Sequence, residues 1–230
     1  MAIQVRQSTG NTTLASETAA TQAFALSNIG GNCLVAIGWA TPGRTITVTD
    51  LLNPNANWIQ VASMASDGTG IETVAFICPE CAAGSNTVSF NVSGAAGNCN
   101  LFCIAEISGV NTLDQVNTVV NQTAIGTVAP PVTITPLQAN SIVIAACQTG
   151  SSSSGPGIVT PYTVLGAATP GTNNYAGAEY NVISSAVLQT SAFTCLAAET
   201  NCSTMIFNLY QSSSGGGSSC MGLLRLLGVN

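Results

Sequence analysis

Nine cysteines and nine carboxylates are the residues of this chain that could do chemistry, and no histidine is present to work with them. Without an imidazole, Ser-His-Asp and Cys-His catalysis lack their general base, and carboxylate pairs are the acid–base device that remains. The acids are Glu17, Asp50, Asp67, Glu72, Glu80, Glu106, Asp114, Glu179 and Glu199, and none falls in a glycosidase-like motif. Glu106 alone stands out. It interrupts an otherwise apolar run, with Asp114 just beyond. Carboxylates are seldom buried, so the expectation for Glu106 is a solvent-facing position or a bond to a nearby backbone amide. The chain reads as a non-enzyme without a cofactor.

Cys78, Cys81, Cys99 and Cys103 give C-x2-C-x17-C-x3-C, close to a zinc-ribbon spacing. If residues 72–78, 87–92 and 100–107 form a meander, however, the first cysteine pair and Cys99 lie at opposite ends of a sheet. A strand of that length separates them by roughly 20 Å, too far for one tetrahedral ion. No metal site is expected. Cys195 and Cys202 flank a short loop between strand-like segments and are disulfide candidates, as are Cys78 and Cys81 across their own loop. Nine cysteines favour an oxidising compartment, and their odd number leaves one unpaired within the chain.

The elements that must position these groups are strands. Short segments of period-2 alternation, bounded by Gly, Pro, Asn or Ser, recur at 3–8, 21–26, 33–39, 45–49, 58–64, 72–78, 87–92, 100–107, 115–120, 132–135, 142–147, 162–167, 176–182, 187–194 and 204–210. No helical stripe persists for three turns. The pattern predicts an all-β protein, an antiparallel two-sheet β-sandwich. Residues 33–39 are apolar on both faces and belong in the middle of a sheet, whereas in 87–92 Val88, Phe90 and Val92 alternate with a wet face. Trp39 and Trp58 fall in core segments, and Tyr162, Tyr175 and Tyr180 are the aromatic cluster that carbohydrate could stack on.

Charged residues make up 5% of the chain, and its cations are Arg6, Arg44 and Arg225 within a net charge of −6. Three scattered arginines cannot neutralise a run of phosphates, which excludes nucleic acid and anionic membrane surfaces as partners. No apolar run approaches the roughly 18 residues of a membrane span. No secretory signal is visible at the N-terminus, so export is expected to follow removal of a leader or another route. A surface made polar by hydroxyls and amides has little repulsion to keep copies apart, and that favours self-association.

The order of segments resembles a family of secreted bacterial and phage-associated jelly-roll β-sandwich modules found in surface and fibre proteins. The resemblance rests on residues 31–39 (GNCLVAIGW), 48–58 (VTDLLNPNANW), 83–92 (AGSNTVSFNV), 106–110 (EISGV) followed by Leu113 and Asp114, and 139–144 (ANSIVI). It spans residues 1 to about 210, and Ile107 replaces the family's aromatic before the SG turn. It implies a jelly-roll fold and repeated structural units, and no catalytic set.

The expected organisation is a sandwich over 1–210, a Gly/Ser-rich tether over 211–220 and an apolar assembly segment over 221–230. In that last segment Met221, Leu223, Leu227 and Val229 share one strand face, and Leu224 and Leu226 the other. Such a segment needs a groove, its own or a neighbour's. The leading reading is a structural subunit of an extracellular filament, extended head to tail into a helical polymer of itself by an exchanged terminal strand. Ile3 and Val5 of the N-terminal strand could play the same part. The alternative is a carbohydrate-binding or adhesin module. The expected location is extracellular or on the cell surface, with a virus particle as second choice, and the sequons at Asn11, Asn91, Asn121 and Asn201 are glycan candidates.

Overall fold

The computed structural model describes residues 2–10, 15–65, 72–94, 97–122, 128–149, 157–167, 175–194 and 202–212. Within them the chain forms β1 (Gln4–Thr9), β2 (Ala15–Glu17), β3 (Ala19–Ala23), β4 (Cys33–Ala40), β5 (Ile46–Asp50), β6 (Ile59–Ala65), β7 (Glu72–Cys78), β8 (Thr87–Val92) and β9 (Gly97–Ser108). It continues through β10 (Thr112–Gln122), β11 (Val132–Ile134), β12 (Ser141–Thr149), β13 (Thr163–Ala167), β14 (Tyr175–Ile183), β15 (Gln189–Ser191) and β16 (Cys202–Tyr210). A single 3-10 turn at Asn55–Asn57 is the one helical element among the described residues. Each strand expected from alternation is present, and β2 is an addition.

The antiparallel jelly-roll sandwich is there, and its winding occurs twice, so that the described residues form four sheets rather than the two expected. In the first half one sheet has the order β1-β9-β4-β7-β6, with β2 also on β9, and the facing sheet is β3-β8-β5. The chain crosses repeatedly between these two sheets, which is the winding of a jelly roll. The second half repeats it as β10-β16-β12-β14-β13, with β11-β15 for the outer sheet. Register repeats as well. β1 carries a bulge at Arg6, between the pairs Val5–Ile107 and Gln7–Glu106, and β10 one at Asp114, between Leu113–Leu209 and Gln115–Asn208. β6 bulges at Val61 against β7 as β13 does at Leu165 against β14. An extra residue at the same place bends both edge strands alike.

The two large sheets pack against each other. Val35, Ile37 and Trp39 of β4 meet Ile142, Ile144 and Ala146 of β12 in one central core. The opposite faces serve separate outer cores, Leu34 and Ala36 beneath β3-β8-β5 and Val143 and Ala145 beneath β11-β15. Each central sheet is therefore buried on both sides, which is why β4 and β12 are buried at every position. The contacts are reciprocal: β6 lies on β10 and β16 while β13 lies on β1 and β9, the signature of a pseudo-two-fold axis. Thr73 of β7 donates a hydrogen bond across this core to Gln148 of β12.

The meander of β7, β8 and β9 is not formed, because β4 separates β7 from β9 and β8 belongs to the outer sheet. Cys78 is opposite Leu34, Cys103 opposite Ile37 and Cys99 opposite Ala40, so the cysteines spread along β4 instead. Six residues of strand still set Cys78 about 20 Å from Cys99. At the crossing of β13 over β9, a Cβ on Gly166 would meet Cys103 Cβ at 2.7 Å and the Phe102 carbonyl oxygen at 2.8 Å. Gly166→Val should therefore cost about 1–3 kcal/mol, read as a lower urea midpoint with unchanged slope.

Candidate functional site

Polar groups enter this fold where loops must be fixed to double-sided sheets. Glu106 of β9 is fully buried on the outer face. Its Oε1 accepts the Ile29 backbone N–H at 2.7 Å and Asn32 Nδ2 at 2.6 Å. Its Oε2 accepts Gln7 Nε2 at 2.6 Å, Arg6 Nη1 at 2.9 Å and Asn28 Nδ2 at 3.2 Å. Burial raises its pKa, but the bonds from Ile29, Gln7, Asn32 and Asn28 outweigh that and hold the carboxyl below its ordinary value. Arg6 and Gln7 also reach the carbonyls of Ser27 and Leu26, so Glu106 clamps the loop entering β4 to β1 and β9. The backbone-amide part of the expectation for Glu106 holds, and the solvent-facing part is corrected by its burial.

The second half builds the same clamp with the chemistry exchanged. Asp114, at the bulge equivalent to Arg6, accepts the backbone N–H groups of Leu137 and Gln138 at 2.8 and 3.2 Å, and Asn208 Nδ2 at 2.8 Å. Asn208 stands where Glu106 does and takes the Gln115 N–H at 3.1 Å. Asp50 is a third clamp, bound by the N–H groups of Leu52 and Asn53 at 2.7 and 2.6 Å and by Trp58 Nε1 at 2.9 Å. Glu106 and Asp50 take donors on both oxygens and Asp114 takes three on Oδ2, so each carboxylate ties a loop to a strand.

Glu179 of β14 differs. It is fully buried beneath β15 at the position equivalent to Phe76. Ser191 Oγ donates to its Oε1 at 2.6 Å and the Val159 N–H also reaches it, but Oε2 has no partner among the described residues. Burial dominates and pushes its pKa up to about 7. The hydroxyl of Tyr162, equivalent to Trp58, is buried beside it and likewise has no partner among the described residues. Sequence reading passed over Glu179 because Gly177 and Asn181 flank it at period 2, which looks like a wet face.

The remaining candidates are dispersed. Ile3 and Val5 pack against the central core, and β1 is seated on β9. Of the tyrosine cluster, Tyr162 lies in the outer core and Tyr180 packs on the central one. Cys78 and Cys81 stand as separate thiols rather than a bridge, as do Cys33 and Cys103. Burial pushes Cys78 to about 12 and Cys81 to about 11, far from a reactive thiolate. Asn91 is half-buried, its Nδ2 bound to Thr49 Oγ1 at 3.1 Å. Asn121 lies in β10. Asn11, Asn201, Cys195, Met221, Leu223, Leu224, Leu226, Leu227 and Val229 lie outside the described residues. Among the described residues no group of three or more His, Cys, Asp or Glu could hold a metal.

Strand order and pairing define the class, an antiparallel jelly-roll β-sandwich. No protein-family model matches the chain, and no curated protein does. A solved structure described as "Crystal Structure of the STIV MCP" is similar over 91% of this chain and 96% of that one, at 8% identity and a TM-score of 0.28. At that level of likeness the fold rests on the strand pairing itself.

Proposed function

We propose that this protein is a structural subunit of an extracellular filament or fibre, joined to its neighbours by an exchanged terminal β-strand. One observation carries the reading: β1 is already seated in its own sheet, with Val5 opposite Ile107, while residues 221–229 add an apolar, strand-patterned segment after the last strand. That makes the C-terminal segment the donor. Its leucines would leave water on docking, at about 1.5–3 kcal/mol each, less the cost of ordering the tether and the incoming subunit. The clamped carboxylates fit a load-carrying scaffold better than a reaction centre. The proposed location, on the cell surface or in a virus particle, rests on the filament reading.

Negative-stain microscopy of the intact protein should show long polymers. Deleting residues 212–230 should leave a folded monomer with unchanged β-type circular dichroism. Continued polymerisation of the deletion variant would remove the tail from the mechanism and make β1 the connector to test.

A further inference from the structure

Among the described residues, the second half has no counterpart of β5. In the first half β5 pairs with β8, Val48 opposite Phe90 and Asp50 opposite Val88, and completes the outer sheet. In the second half Gly157 pairs with Thr194, as Thr45 bonds to Ser93, and Ile158 packs on the outer core as Ile46 does. There the likeness stops. Trp58 follows Ile46 by twelve positions, whereas Tyr162 follows Ile158 by only four. The rest of the β5 equivalent is absent, and the edge of β15 away from β11 has no strand partner among the described residues.

The consequences lie where β5 would have been. Asp50, at the end of β5, satisfies Trp58 Nε1, while the equivalent Tyr162 hydroxyl is buried with no partner among the described residues. Glu179 Oε2 is in the same condition next to it. Val164, the cross-strand partner of Glu179, is 54% exposed, and Val187 and Leu188, leading into β15, are 52% and 62% exposed. An open backbone edge, an apolar border and a buried carboxylate with a spare oxygen call for an apolar strand carrying one cation.

Residues 221–229 have that composition. At period 2 one face reads Met221, Leu223, Arg225, Leu227, Val229, with a single arginine amid apolar side chains. The other two cations are engaged, Arg6 by Glu106 and Arg44 by the Ser93 carbonyl. We infer that residues 221–229 of a second copy dock on the open edge of β15, with their apolar side chains covering Val164 and Leu188 and Arg225 pairing with Glu179. This deepens the filament reading and rests on it.

Direction favours a second copy over the chain's own tail. Every strand ladder among the described residues is antiparallel, so the incoming strand is taken to run against β15. The tail leaves β16 at Tyr210, which shares a rung with Ser141 and, through it, Ile183. Ile183 precedes the loop into Gln189, so Tyr210 lies at the end where β15 begins. A tail folding back must cross the face before it can pair, whereas a neighbour's approaches from outside and pairs with the stretch of β15 that lies before the Gly157–Thr194 pair.

The test uses the full-length chain, with donor variant Leu223→Asp and acceptor variants Val164→Asp and Leu188→Asp. These acceptor positions are half-exposed or more, so native circular dichroism is expected and is checked first. Each variant alone should raise the critical concentration for sedimentable polymer at least tenfold. An equimolar mixture of Leu223→Asp and Val164→Asp retains one working donor and one working acceptor, and should give dimers and no polymers in analytical ultracentrifugation. Arg225→Gln should weaken assembly as much as the Arg225→Gln/Glu179→Gln pair does. Wild-type assembly by both acceptor variants would overturn the site while leaving the filament reading intact. A monomeric wild type that melts lower with either Leu223→Asp or Val164→Asp would show the tail closing its own domain and overturn both.

Discussion

Glu106→Ala should lower the stability of the fold by roughly 3–5 kcal/mol at pH 7, because it removes one member of a buried charge pair and strands the rest. Five donors converge on this carboxylate, those of Ile29, Asn32, Asn28, Gln7 and Arg6. Without it the buried amides of Asn28 and Asn32 lose their acceptor. Glu106→Gln should fare little better, since its NH2 would face donors. Both are read by urea unfolding. The difference from wild type should shrink in acid: the folded pKa is lowered, so the contribution is complete above the unfolded value of about 4.3 and disappears as pH falls through the folded one. A Glu106→Ala protein as stable as wild type at pH 7 would mean that the loop entering β4 needs no clamp.

The second large effect has the opposite sign in pH. Glu179 is raised to about 7, so the folded state prefers it protonated. Its favourable share is fully present below the unfolded carboxylate value, declines from about pH 4.3 upward and is gone once pH passes about 7. The shift corresponds to roughly 3 kcal/mol. Glu179→Gln keeps an acceptor for Ser191 and cannot ionise, so it should match wild type near pH 4 and exceed it by about 2–3 kcal/mol at pH 8. Together the two acids place maximum stability of the monomer in the mildly acidic range. Parallel pH profiles for wild type and Glu179→Gln would sink this account. If Arg225 pairs with Glu179 in the polymer, assembled material should lose the alkaline decline.

The strands were readable from the sequence because each carries its own record in period-2 alternation. β4, apolar on both faces, declared its central place, and β8 its single wet face, buried at Val88, Phe90 and Val92 and half-exposed between them. The duplication was not readable. What repeats is register and bulge position, while the side chains at equivalent places differ in kind: Arg6 and Asp114, Glu106 and Asn208, Trp58 and Tyr162, Phe76 and Glu179. Sheet membership was also hidden, because alternation says that a face is buried and not which strand lies beside it. The rarity of buried carboxylates left Glu106 expected either in solvent or on a backbone amide, and the small or polar neighbours of Glu179 hid its burial.

The shared central core sets the order of events during synthesis. The first half ends at Ser108, yet the inner face of its sheet, with Val35, Ile37 and Trp39, is covered by strands that end only at Tyr210. At about 5–20 residues per second, the hundred or so residues between them take on the order of 5–20 s to emerge. For that interval a nascent chain presents a broad greasy face to its surroundings. A factor that shields the emerging half, or transport that keeps the chain extended until its last strand is made, would act on this interval.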